Sequence, residues 1–208
     1  MKLDFKNQSG QVAKLMLSLV IVCLIAIAIA YIVLRATTQP TPPPTLNENI
    51  EEVPKAVYEN TINDIKITFQ EAYNYGSVLY GSASNNPNYQ KNLETTEKFI
   101  SVTIGAQNKG KKDTTNGVWN LGNIIDSEGR NFIPNNYSAN PWISKDNGCG
   151  DVLKPEFTPT SCTKIYEVSK VSQGLKVEVL VSHKDEKEDK YDTSNKDVIL
   201  LDLIVNDK

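Results

Sequence analysis

Residues 15–34, LMLSLVIVCLIAIAIAYIVL, form an uncharged apolar run held between Lys14 and Arg35. No small globular domain exposes such a run, and at about 1.5 Å per helical residue it matches a hydrocarbon core of roughly 30 Å. The expectation is a single N-terminal transmembrane helix over 15–34, with the lipid bilayer as its partner. Lys2, Lys6 and Lys14 outnumber Asp4 on the N-terminal side, which keeps residues 1–14 cytoplasmic and sends the rest across. The expected localisation is a single-pass protein of the cytoplasmic membrane with an extracytoplasmic C-terminal domain.

Three other readings of the run are weaker. Ala28 and Ala30 make a small-x-small pair that a signal peptidase could use, but Tyr31, Ile32, Val33 and Leu34 continue the apolar stretch past it. Cys23 as a lipidation site would need a small residue before it and a polar chain after it, and Val22 and the following apolar residues supply neither. Gly10 ahead of a long apolar helix resembles a prepilin leader, although Leu15 stands where such leaders usually carry glutamate.

Beyond the run, residues 35–62 read as a Pro-rich linker. Pro40, Pro42, Pro43 and Pro44 favour extended polyproline II at about 3.1 Å per residue. Residues 63–208 are long enough to bury one core. Their apolar residues alternate at a period of two and show no long helical period, so the fold class is all-β. Ile65, Ile67 and Phe69 alternate with polar neighbours, and Val78, Leu79 and Tyr80 mark a weaker strand. The segment KFISVTIGAQN over 98–108 would put Ile100, Val102, Ile104 and Ala106 on its core face. Strands follow over 118–125 and 164–169, with a hairpin in which Ser127, Glu128, Gly129 and Arg130 turn the first of these into Asn131–Pro134. Leu175, Val177, Val179 and Val181 alternate in the next, and 198–205 reads as a central strand buried on both faces. The charged stretch 183–197 reads as a solvated loop, and 135–159 as a long polar one. About seven antiparallel strands result, which suits a β-sandwich.

Cys149 and Cys162 are the only cysteines outside the apolar run. A pair in an exported domain reads as a disulfide. As zinc ligands they lack partners, since His183 is the one histidine and lies in another polar segment.

The order of these segments is similar to a group of immunoglobulin-like, telokin-like domains on bacterial exported proteins. The resemblance rests on KFISVTIGAQNKG over 98–110, LGNIIDSEGRNF over 121–132 and the closing apolar strands. It implies an immunoglobulin-like antiparallel β-sandwich over most of 63–208 and no catalytic residues. The Cys149/Cys162 pair, the long insert 135–159 and the apolar anchor depart from that pattern.

The formal charge of −3, with lysines and acids interspersed, offers no basic surface for nucleic acid. No nucleophile elbow accompanies His183, so an enzyme, a cofactor and a metal centre are not expected. The acids Asp185, Glu186, Glu188, Asp189 and Asp192 are interrupted by Lys184, Lys187 and Lys190 and lack the calcium-loop spacing. Asp146, Asn147 and Asp151 are a second, fainter oxygen cluster. Tyr137 and Trp142, on a loop pinned by the cysteines, are the candidate binding face, with capping of the core as the other reading of Trp142. Asn136, Tyr137 and Ser138 also spell a glycosylation sequon. The function expected is display of a domain that binds an envelope protein or a glycan. A pilus-like assembly subunit, and then a secreted enzyme or inhibitor, are the alternatives.

Overall fold

The computed structural model describes residues 55–185 and 187–208, together with Leu17, Ile21 and residues 24–30, which are helical. No described helix is long and apolar enough to cross a membrane. The anchor expected over 15–34, the cytoplasmic segment 1–14 and the linker as far as residue 54 lie wholly or largely outside the described residues. The chain divides into two units, Met1–Val53 and Pro54–Lys208, and the second is described here.

Among the described residues that unit holds eleven strands. They are β1 (Glu59–Ile62), β2 (Ile65–Asn74), β3 (Val78–Leu79), β4 (Leu93–Glu94), β5 (Lys98–Asn108) and β6 (Trp119–Ile125), then β7 (Asn131–Phe132), β8 (Thr160–Val168), β9 (Lys176–Asp185), β10 (Lys190–Asp202) and β11 (Val205–Asp207). One sheet runs β1-β2-β5-β8, and β11 also pairs with β2. The other runs β10-β9-β6-β7, and β3 and β4 make a small ribbon. Ile65, Ile67, Val102 and Ile104 of the first sheet and Trp119, Leu121, Val177 and Val179 of the second are fully buried in one core. The chain is therefore all-β, as its period predicts, with two sheets face to face.

Bulges set which side chains enter that core. In β2 the register shifts between Phe69 and Glu71, so the inward set passes from Ile65 and Ile67 to Ala72. β1 pairs antiparallel with β2 before the shift and β11 pairs parallel after it. In β6 the shift falls between Leu121 and Ile124. A Cβ on Gly122 would lie 2.9 Å from Glu178 Cβ, which is why a glycine stands there. The Leu121 carbonyl accepts Lys164 Nζ at 2.7 Å and the Gly122 carbonyl accepts the Tyr166 hydroxyl at 2.9 Å. Two long side chains of the opposite sheet thus satisfy the carbonyls at the bulge. Burial pushes the Lys164 ammonium below its ordinary pKa.

Several expectations need correction. β1 lies within the stretch read as linker. The run 198–205 is not a central strand: most of it belongs to β10, an edge of its sheet, where Ile199 and Leu201 are buried and Val198 and Leu200 are exposed. Apolar residues on both faces of a strand can mean an apolar outer surface as well as double burial. The charged stretch 183–197 is no loop but largely the arms of the β9–β10 hairpin, whose outer faces are solvated. The strands are not all antiparallel, because β11 lies parallel to β2.

Candidate binding site

The insert between β7 and β8 is built onto the free edge of β8. The chain leaves β7 and crosses to the other sheet at Pro134, which bridges to Tyr166. Asn135 N–H then donates to the Ile165 carbonyl at 2.7 Å and Gly148 N–H to the Ser161 carbonyl at 3.0 Å. Between them the Asn147 amide imitates a strand: its Oδ1 accepts from Thr163 N–H at 2.7 Å and its Nδ2 donates to the Thr163 carbonyl at 3.0 Å. Cys149 and Cys162 are disulfide-bonded, their Cα atoms 4.6 Å apart. Hydrogen bonds and a covalent bond thus seal an edge that would otherwise be open to pairing.

The two aromatic residues of this insert part company. Trp142, on a 3₁₀ turn at Asn140–Trp142, is buried with Leu79, Phe99, Ala139 and Ile165 in a second, smaller core on the outer face of the β5–β8 sheet. Its indole N–H donates to the Tyr80 carbonyl at 2.8 Å, and its ring meets Tyr89 edge-on at 5.2 Å. The expectation that Trp142 belongs to the exposed face is therefore corrected: it holds the insert and the β3–β4 ribbon on the sheet, because a side chain of that size is most stable when covered. Tyr137 is the reverse case, 94% exposed.

The loop that carries Tyr137 is fixed at both ends. Asn136 N–H donates to the Pro134 carbonyl at 3.0 Å, Ser138 N–H donates to Asn135 Oδ1 at 3.1 Å, and Ala139 is fully buried. Beside it Ile133 is 74% exposed. Both line an open concavity of about 720 Å³ whose rim includes Glu97 and Glu167. Glu167 Oε1 accepts the Thr95 hydroxyl, and Glu97 Oε2 accepts Lys170 N–H at 2.8 Å. Neither the two glutamates nor Ile133 stands out in the sequence. They reach Tyr137 because the chain changes sheets at Pro134, a crossing that leaves no mark in the apolar period.

A second concavity, of about 790 Å³, lies where Asn63 and Asp64 face the β9–β10 hairpin. Asn63 and Asp64 both have positive φ (50° and 63°) and form the two-residue turn of the β1–β2 hairpin. Lys184 Nζ meets Asp64 Oδ2 at 2.6 Å and Asp189 Oδ1 at 2.7 Å, and Lys112 Nζ meets Asp189 Oδ2 at 2.7 Å. Hydrogen bonds from Lys112 and Lys184 hold the Asp189 carboxyl at about 2, and Asp189 and Asp64 in turn push the Lys184 ammonium up. These charges compensate one another and tie two hairpins and the loop after β5 together. His183 Nδ1 lies 3.2 Å from Asp197 Oδ2, and that same oxygen accepts Asn63 Nδ2 at 2.7 Å. Among the described residues no group of acids, cysteines and histidine is placed to hold a metal ion. Asn147, one of the faint calcium candidates, spends its side chain on Thr163.

No family model matches the sequence, and no curated protein does. Among solved structures, a conserved hypothetical protein from Bacillus anthracis is similar at a TM-score of 0.43 and 15% identity, covering 61% of this chain and 88% of its own. A functionally unknown protein from Listeria monocytogenes EGD-e gives a TM-score of 0.40 and 11% identity over 72% and 82%. A protein named as a candidate lipoprotein from Staphylococcus aureus subsp. aureus NCTC 8325 gives 0.36 and 11% over 73% and 99%.

Proposed function

We propose that this is an envelope protein of the cytoplasmic membrane, anchored through residues 15–34 with residues 1–14 inside. Its β domain is displayed outside as an immunoglobulin-like module that binds a protein or a glycan and carries out no catalysis. The observation that carries this reading is the Cys149–Cys162 disulfide, because such bonds form and persist in oxidising compartments and are rare in the cytosol. The apolar run with its flanking lysines agrees with the same topology. Two packed sheets joined by a chain that crosses between them support the immunoglobulin-like assignment. An exposed tyrosine on a loop tied down at both ends is the arrangement expected of a preorganised binding surface.

The test uses the full-length protein in its own membranes. Protease added to intact cells with permeable outer layers should remove the β domain, and in the denatured protein maleimide should label Cys149 and Cys162 only after reduction. A protected domain with both thiols free overturns the reading. An N-terminus at Gln11 replaces it with an assembly subunit, and one at Tyr31 with a released protein.

A further inference from the structure

We infer that the concavity around Tyr137 takes a neutral polysaccharide strand, a narrower statement that rests on the binding role proposed above. Aromatic and aliphatic side chains, Tyr137 and Ile133 foremost, line it together with asparagine amides, the Ser169 hydroxyl and the carboxylates of Glu97 and Glu167. Among the described residues that line it, none is lysine or arginine. A phosphate-bearing or otherwise anionic polymer would meet two carboxylates and no cation, so charge argues against it. Sugar hydroxyls, by contrast, are both donors and acceptors. Carboxylates accept from them, and amides do both. Among the described residues, Glu97 and Glu167 each commit one oxygen to the fold, to Lys170 N–H and to the Thr95 hydroxyl, and leave the other without a partner.

Shape points the same way. A stable protein interface buries about 1,200–2,000 Å² around several aromatic or arginine anchors. Here one exposed ring and one exposed isoleucine stand beside half-buried Phe132 and Pro134, with amides and carboxylates around them. Enclosed pockets suit small ligands, whereas this concavity is open to solvent, so a longer chain can lie across it. The ring itself is the natural platform for the C–H face of a pyranose, since it is 94% exposed and its backbone is anchored on Ile165 and through buried Ala139. That anchoring removes much of the ordering cost a mobile loop would add to binding.

The test is calorimetric titration of the full chain in detergent micelles. The probes are a hexamer of β-1,4-linked N-acetylglucosamine, a β-1,3-glucan hexamer, linear polyphosphate and a poly-lysine peptide. The inference expects heat with at least one neutral hexamer and none with polyphosphate. Tyr137→Ala should weaken that binding about tenfold or more, while Tyr80→Ala, another exposed tyrosine, should leave it unchanged. Binding of poly-lysine alone, silence with both hexamers, or equal affinity in Tyr137→Ala overturns the inference. If the domain is protease-accessible outside the cell and the hexamers are silent, this inference fails by itself. If the domain is protected inside, the broader reading fails with it.

Discussion

Removing the Cys149–Cys162 bond should destabilise the β domain by about 3 kcal/mol, because the bond closes a loop with a sequence separation of 13 and the chain-entropy model assigns that amount to such a loop. The suitable perturbation is the double change Cys149→Ala/Cys162→Ala. Cys162 is fully buried, and serine there would add a hydroxyl needing a partner. On the full chain in detergent, the melting temperature of the β domain should fall by about 6–12 °C. The urea midpoint should fall by about 1.5 M if the m-value is roughly 2 kcal/mol/M, and the m-value itself should rise as the unfolded chain loses its cross-link. The model also says where the effect resides. Gly148, Asn147 and Asn135 still hydrogen-bond to β8 in the native state, so the Gly148 and Thr163 amides should keep their protection from exchange below the transition. A loss under about 2 °C refutes the magnitude. Rapid exchange at those two amides in the variant would refute the reasoning itself, because the bond would then be holding the native insert in place.

Three further outcomes follow from the packing and the charges. Gly122→Ala forces a methyl to 2.9 Å from Glu178 Cβ at the β6 bulge and should cost about 1–3 kcal/mol in urea unfolding, with near-neutral behaviour counting against the tight crossing. Trp142→Ala should cost about 3–5 kcal/mol, whereas Tyr137→Ala should stay within about 0.5 kcal/mol; equal effects would mean the two rings have been assigned to the wrong environments. Asp126, Asp189, Asp197 and Asp202 are all held below the ordinary carboxylate range, Asp189 at about 2. For Asp126, burial opposes ionisation and is outweighed by hydrogen bonds from Ser172 and Arg130 and from the Arg130 and Glu128 amides. The unfolded chain then binds more protons than the folded one in acid. Stability from these groups is fully present above the unfolded value of about 4 and is lost as pH falls towards about 2, so melting temperatures level down to about pH 2 would contradict it.

The strands most legible in the sequence are those whose two faces differ. β5 runs from Lys98 to Asn108, the bounds its pattern predicts, because Ile100, Val102, Ile104 and Ala106 meet the main core. Phe99 on its other face meets the smaller one. β9 is legible for the same reason. The bulges were not: a shift of phase after Phe69 or after Leu121 depends on the partner strand, and a single sequence carries no partner. Edge and centre are equally hidden, since Val198 and Leu200 read as buried and are exposed. At the candidate site, Tyr137 could be singled out as an aromatic residue in a polar loop. Ile133, Glu97 and Glu167 could not, because only the third dimension brings them to it.

The pairing of β11 with β2 has a consequence in time. Val205 lies beside Ala72 and Asp207 beside Asn74, so a sheet begun by the first strands of the domain is completed only by its last. A ribosome delivers those residues at the very end of the domain. The β1–β2 hairpin can close and β5 can pair with β2 while synthesis continues, but the other edge of the far half of β2 must wait for residues 205–207. Assembly dominated by such distant partners is slow, on the order of milliseconds to seconds. During that interval the nascent domain is a chain that can still be threaded, rather than a finished body that has to be carried whole.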